Sequence, residues 1–132
     1  ENGLSIGIIG AGPAGLAAAE WVRKKGYKIE VYDRYDRIGG LLIYGIPNFK
    51  LDKKIVERRK EQYEKSGIRF HLNTEIGKQI TFDALRKKHD AVLIATGVYK
   101  PKEIEIPDAS LGNILPALDY LTASNRHTLG DK

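Results

Sequence analysis

The sequence contains no cysteine and no long apolar run, and both absences limit what the protein can be. Without cysteine among its 132 residues, the chain has no disulfides, thiolate metal sites or cysteine nucleophiles of its own, as is typical of intracellular proteins. No apolar run approaches the roughly 18 residues that a membrane-spanning helix needs. We therefore expect a cytoplasmic location and no membrane partner.

The distribution of charge argues against a nucleic acid partner. A net charge of +5 and a pI near 9.4 would permit an anionic partner. However, acidic residues alternate with the basic ones across residues 53–65, as on a solvated helix face, so we expect no nucleic acid partner. The length suits one globular core. Because the chain begins at Glu1 without a signal-like segment, we expect a piece of a longer protein.

The most informative stretch is Gly10-Ala11-Gly12-Pro13-Ala14-Gly15. An apolar run over residues 4–9 precedes it, and an alanine-rich helix predicted over residues 13–25 follows it. Gly10 permits a tight turn, Gly12 lets backbone amides approach a pyrophosphate, and Gly15 lets the helix lie close to the strand. The stretch therefore predicts a dinucleotide-binding turn at a helix N-terminus; the alternative is a turn with only a structural role.

An acidic residue follows the second predicted strand, residues 28–32. A carboxylate at Asp33 would accept hydrogen bonds from ribose hydroxyls and repel a 2′-phosphate, which favours FAD or NAD over NADP. Arg34 and Arg37 lie nearby, and arginine is the residue type that accommodates a 2′-phosphate. The alternative is that Asp33 is an ordinary polar residue at a strand end.

Residues 39–51 form an unusual stretch that is rich in glycine and proline yet apolar. Its composition argues against a regular element and against a solvated loop, so we expect a large flat ligand to lie against it. The paired glycines Gly39 and Gly40 would expose backbone amides as donors. Lys50 is either a cofactor contact or a surface lysine.

The rest of the pattern alternates helices and strands. It predicts a helix capped by Asp52 and ending near Ser66, a strand over residues 68–72, a short helix over residues 81–87, a fully apolar strand within residues 90–97, and a last helix ending near Ser124. The polar tail, residues 125–132, is expected to fray. Thr96 and Gly97 would lie at the carboxyl edge of the sheet, where parallel sheets bind ligands, unless they only end the strand. The fold class is α/β, a Rossmann-like domain with a parallel central sheet.

No residue is predicted to be catalytic or to bind a metal. The three histidines, His71, His89 and His127, have no carboxylate or nucleophile at a suggestive spacing, and scattered histidines are more often surface or core residues than catalysts.

Five features occur in one order that closely resembles the FAD-binding region of the small (beta) subunit of NADPH-dependent glutamate synthase. The same region of dihydropyrimidine dehydrogenase is similar but less close. The features are the glycine motif, Asp33, residues 37–51, Ala95-Thr96-Gly97 and residues 117–126. The resemblance covers nearly the whole chain, so residues 1–132 are predicted to be one segment of an FAD-binding domain in a larger flavoprotein.

The resemblance implies where FAD would lie. Its pyrophosphate would lie on residues 10–14, its ribose at Asp33, its adenine near Ile76 and its flavin side near the Gly40 and Leu41 backbone. The implied cofactor-binding residues are Gly10, Ala11, Gly12, Pro13, Ala14, Asp33, Arg34, Gly40, Leu41, Lys50, Ile76, Thr96 and Gly97. Two residues depart from the family pattern: Asp33 replaces the usual Glu, and Asp108 replaces the usual Gly.

The resemblance also implies a reaction and partners. Such proteins pass electrons from NADPH through FAD to iron–sulfur centres, for glutamate formation from glutamine and 2-oxoglutarate. NADPH and the 4Fe-4S clusters would bind elsewhere in the parent flavoprotein, and the large (alpha) subunit would be a partner. We expect this segment alone to be inactive and to self-associate through unpaired sheet or apolar surface. The open alternatives are a dinucleotide-binding module without activity and an NAD-dependent dehydrogenase domain.

Overall fold

The computed structural model describes residues 2–131, in which four parallel strands form one sheet with helices between them. Glu1 and Lys132, the ends of the predicted segment, lie outside the described residues. The elements are β1 (Ser5–Ile9), α1 (Pro13–Lys24), β2 (Lys28–Tyr32), α2 (Leu41–Tyr44), α3 (Lys53–Lys65), β3 (Arg69–His71), α4 (Phe82–Lys88), β4 (Ala91–Ile94) and α5 (Ala117–Thr128). The strand order β3-β2-β1-β4, with every neighbouring pair parallel, confirms the predicted Rossmann-like α/β class.

Local signals set most helix boundaries as predicted. Asp52 caps α3 by accepting a hydrogen bond from the Lys54 amide at 3.0 Å, and Thr81 caps α4 by accepting one from the Ala84 amide at 3.1 Å. α1 begins at a proline and is followed by Gly26, whose φ of +92° favours glycine. These boundaries are predictable because each depends on residues close together in the chain.

The apolar core lies between α1, α3 and one face of the sheet. Residues 6 and 8 of β1 are in register with residues 29 and 31 of β2 and share a face. α1 contributes to this core through Leu16 and Ala19. Its fully buried apolar members are Ile8, Ala11, Ala19, Ile29 and Val31.

The alternate residues of β2 contribute to a buried polar group, the Glu30 cluster, made of Glu30, Tyr32, His71, Lys88 and His89. One carboxylate oxygen of Glu30 accepts hydrogen bonds from Lys88 at 2.6 Å, His71 at 2.8 Å and the Tyr32 hydroxyl at 2.9 Å. Burial pushes the pKa of Glu30 upward, but these bonds outweigh burial and lower the pKa to about 2. Spacing along the sequence gave no sign that His71 contacts this carboxylate or that His89 contacts the Tyr32 hydroxyl.

The hydrogen bonds of the cluster also determine which ring nitrogen of His89 carries the proton. The Tyr32 hydroxyl has one proton and donates it to Glu30, so His89 donates through Nε2 at 3.0 Å. Its Nδ1 is then a buried acceptor without a partner among residues 2–131. Burial lowers the pKa of His89, which keeps the ring neutral. A Cβ at Gly7 would lie 2.6 Å from the ring, so the site requires glycine there.

Two predictions about secondary structure were wrong. Residues 39–51 contain the one-turn helix α2 although they were expected to lack a regular element. The tail does not begin at residue 125, because α5 continues to Thr128.

Long-range contacts explain why α5 continues. Asn125 is buried, and its amide donates to the Tyr44 carbonyl at 3.0 Å. Arg37 binds the Asp131 carboxylate with two hydrogen bonds, of 2.7 and 2.8 Å. These contacts join the end of the described chain to the α2 region, which the polar composition of the tail did not indicate. No helix within residues 2–131 has the length and apolar character needed to cross a membrane.

Candidate functional site

A cleft of about 480 Å³ opens at the carboxyl ends of β1, β2 and β4. This is the edge at which parallel α/β sheets bind ligands. Eleven of the thirteen predicted cofactor-binding residues line it, namely Gly10, Gly12, Pro13, Ala14, Asp33, Arg34, Gly40, Leu41, Ile76, Thr96 and Gly97. The fold therefore brings together residues from five separate parts of the sequence.

The glycine turn has the tight geometry that the motif predicts. Gly10 has a φ of +109°, and a Cβ there would lie 2.3 Å from the Ala95 carbonyl oxygen. At Gly15 a Cβ would lie only 1.9 Å from the Gly10 carbonyl oxygen. Both positions require glycine, one because β4 ends against the turn and the other because α1 packs directly on it.

Gly12 differs from these two glycines because the space beside it is open. A Cβ at Gly12 would have only the Gly40 Cα within 4.0 Å. Within residues 2–131, the amides of Gly12 and Ala14 donate no hydrogen bond. These two amides lie at the start of α1, where the helix dipole favours an anion. The turn is therefore an open cradle for a phosphate group.

Asp33 directs its carboxylate at the mouth of this turn. One oxygen accepts a hydrogen bond from the Ala11 amide at 2.6 Å, and the other accepts one from the Tyr35 amide at 2.8 Å. An ionised carboxylate has about four acceptor positions, so two remain for hydroxyl donors such as those of a ribose. The shorter side chain of Asp, compared with Glu, still reaches the turn.

Ala11 and Lys50 are the two predicted residues that do not line the cleft. Ala11 is fully buried; its amide binds Asp33, and its carbonyl accepts a hydrogen bond from the Gly39 amide at 2.7 Å. Ala11 thus joins the glycine turn to Asp33 and to the Gly39-Gly40 pair. Lys50 is exposed and lies outside the lining of the cleft.

Sequence reasoning identified Arg34 but missed the two tyrosines beside it, Tyr35 and Tyr99, which also line the cleft. The Arg34 guanidinium lies 5.0 Å from the Tyr35 ring centre and 4.9 Å from that of Tyr99, distances at which cation–π attraction operates. Burial raises the pKa of Tyr99, and the nearby Tyr35 and Asp33 add to the effect. Tyr99 is 64 residues or more from these neighbours in the chain, so no local pattern could have identified it.

A central parallel strand that runs into an open glycine turn, with an acidic side chain at the end of the next strand, defines a dinucleotide-binding α/β domain. Comparison with known families agrees with this class. The chain belongs to the pyridine nucleotide-disulphide oxidoreductase family, whose profile matches residues 4–131.

Individual relatives show which proteins of this family the chain resembles. The chain is 60% identical over 131 residues to the glutamate synthase (NADPH) small chain of Azospirillum brasilense, which confirms the predicted resemblance. This match covers 99% of the chain but 27% of that relative. The glutamate synthase (NADH) of Saccharomyces cerevisiae is 47% identical over 98% of the chain, which spans 6% of its length.

The structural comparison supports the fold. FprA of Mycobacterium tuberculosis, solved in complex with NADPH, superposes with a TM-score of 0.80 at 24% identity. The match covers 94% of this chain and 29% of FprA. At this level of identity, the likeness shows that the two chains share a fold.

Proposed function

We propose that this chain is an FAD-binding region of an NADPH-dependent oxidoreductase of the glutamate synthase small-subunit type. The observation that carries the proposal is the juxtaposition of the unpaired Gly12 and Ala14 amides with the Asp33 carboxylate in one cleft. Amides at a helix start suit a pyrophosphate, and a carboxylate suits a ribose without a 2′-phosphate. The 60% identity to a glutamate synthase small chain supports the choice of type.

In this proposal the residues of the chain bind and orient the cofactor. The Gly12 and Ala14 amides would hold the pyrophosphate, and Asp33 would hold the ribose through its two remaining acceptor positions. The amides of Gly40 and Leu41, which donate no bond within residues 2–131, would contact the flavin side. Bound FAD supplies the hydride and electron chemistry, while these residues fix its position.

The proposal extends to the larger protein in which this region would act. NADPH and 4Fe-4S clusters would bind outside this chain, and electrons would pass from NADPH through FAD to those clusters and on to a large glutamate-forming subunit. The absence of cysteine from the chain supports placing the clusters elsewhere. One similar relative is named for NADPH and the yeast relative is named for NADH. Because both resemble this chain, the residues that choose between the two nicotinamides would lie outside it.

Calorimetric titration with FAD and with NAD tests the proposal. We expect FAD to bind more tightly, because its flavin side gains contacts at Gly40 and Leu41. Asp33→Asn should weaken FAD on the order of tenfold, since an ionised acceptor is lost. Asp83→Asn, an exposed acidic position on α4, is the matched control and should have no effect. Tighter binding of NAD, or binding of neither, would contradict the proposal.

A further inference from the structure

Lys53 is a buried lysine to which the cleft described above assigns no role. It is the first residue of α3, and 3% of it is exposed. Its ammonium donates hydrogen bonds to the carbonyls of Leu42, at 2.9 Å, and Ile46. Burial holds the pKa of Lys53 below the usual value for lysine. A buried cation is costly unless its protons have acceptors, so these two carbonyls explain how it is accommodated.

The two carbonyls belong to α2 and to the turn that follows it. α2 has four residues, so carbonyls at its end lack partners within the helix. Lys53 donates to one of them, the Leu42 carbonyl, and to the Ile46 carbonyl in the turn that follows the helix. From α5, Asn125 donates to a third, the Tyr44 carbonyl, at 3.0 Å. Two buried side chains that are distant in sequence therefore anchor the carboxyl end of α2.

The other end of α2 forms a wall of the cleft. Gly40 precedes the helix and packs so closely on the glycine turn that a Cβ there would lie 2.9 Å from the Gly12 Cα. Gly40 and Leu41 both line the cleft. A shift of α2 would therefore move their amides relative to Gly12.

We propose that Lys53 is a positioning residue of the cleft, which holds the carbonyls of Leu42 and Ile46 and thereby keeps the Gly40 and Leu41 amides directed at the ligand. This inference rests on the proposed function, since FAD is the ligand concerned. Lys53 does not line the cleft, so it acts through α2.

A chemical rescue tests this role. Lys53→Cys removes the ammonium, and because the chain has no other cysteine, alkylation of the unfolded variant with 2-bromoethylamine followed by refolding restores an ammonium of nearly the same reach. Lys54→Cys, treated identically, is the matched control because Lys54 is the exposed neighbour. Ile68→Ala, in the buried core away from the cleft lining, controls for a general loss of stability.

Two measurements test whether Lys53 positions the cleft. They are the affinity for FAD and the hydrogen exchange of the amides of residues 41–46 without FAD. We expect Lys53→Cys to weaken FAD about tenfold and to accelerate that exchange, and alkylation to reverse both effects. Lys54→Cys should change neither, and Ile68→Ala should lower stability with FAD affinity intact.

Unchanged exchange over residues 41–46 in Lys53→Cys, or unchanged FAD affinity, would overturn the role of Lys53. A loss of FAD affinity in Ile68→Ala equal to that in Lys53→Cys would also overturn it. If the unsubstituted chain binds no FAD, the proposed function fails, and the exchange measurement still decides whether Lys53 fixes α2.

Discussion

β4 consists only of apolar residues, whereas β2 also contains Lys28 and Glu30, yet β2 is the more deeply buried strand. In β2, Ile29 and Val31 are fully buried and Tyr32 is 1% exposed. In β4, Leu93 is 40% exposed and Ile94 is 62% exposed. β2 lies between β1 and β3, whereas β4 pairs with β1 at the edge of the described sheet. An apolar run therefore predicts a strand, and the position of that strand in the sheet decides its burial.

The largest expected difference comes from making the same substitution in both strands. Ile29→Ala leaves a cavity in the core and should lower the free energy of unfolding by about 3 kcal/mol. Ile94→Ala removes an exposed side chain and should change it by less than about 0.5 kcal/mol. Urea unfolding of the two variants measures both values. Equal losses would mean that β4 is covered in solution.

Self-association of the chain would cover Ile94 on β4. Measuring the Ile94→Ala loss at several protein concentrations separates the two cases, since a loss that grows with concentration indicates association.

The next largest change in stability is expected at the polar face of β2. Glu30→Gln should cost about 2 kcal/mol, because Lys88, His71 and Tyr32 lose their charged acceptor while the half-exposed Lys88 regains water. Glu57→Gln on the exposed face of α3 is the matched control and should be neutral. A neutral Glu30→Gln would show that the cluster adds little to stability.

The same cluster predicts how stability depends on pH. The folded-state pKa of Glu30 is about 2, below its ordinary value of 4.5, so its contribution is present above pH 4.5 and is lost as the pH falls toward 2. The lowered pKa of His89 acts in the same direction, because the unfolded chain takes up its proton first as the pH falls below 6.5.

Unfolding curves from pH 7 to pH 2 should therefore show stability falling in two stages. Glu30→Gln should remove much of the lower stage and leave the upper one. A curve that keeps its full lower stage in this variant would contradict the assignment.

The smallest effect is expected beyond β4, at Asp108. Its φ is +62°, so the residue adopts the left-handed conformation that glycine favours. Asp108→Gly should raise the free energy of unfolding by about 0.5 kcal/mol, because the strain exceeds the entropy that glycine adds to the unfolded chain. Thermal unfolding measures the change, and a loss of stability would show that the Asp108 side chain contributes to the turn.

Features encoded within a few residues were predictable from the sequence. The Gly10 turn and the Asp52 cap have the predicted geometry, because local backbone sterics and a hydrogen bond two residues along the chain set them. The Arg34–Tyr99 contact, the burial of Asn125 and the hydrogen bond between His71 and Glu30 were not predictable. Each depends on how distant elements pack, and the spacing of residues carries no record of that packing.

The most direct test of the account follows the backbone amides while FAD is added to the isotopically labelled chain. We expect the largest chemical-shift changes at the amides of Gly12 and Ala14, with changes also at Gly40 and Leu41, and none at Gly26, which precedes β2 at the opposite edge of the sheet. Gly12→Ala, which fits the open space beside the turn, should keep the folded spectrum and abolish these changes. Shifts confined to other residues, or a Gly12→Ala variant that still binds FAD with full affinity, would contradict the account.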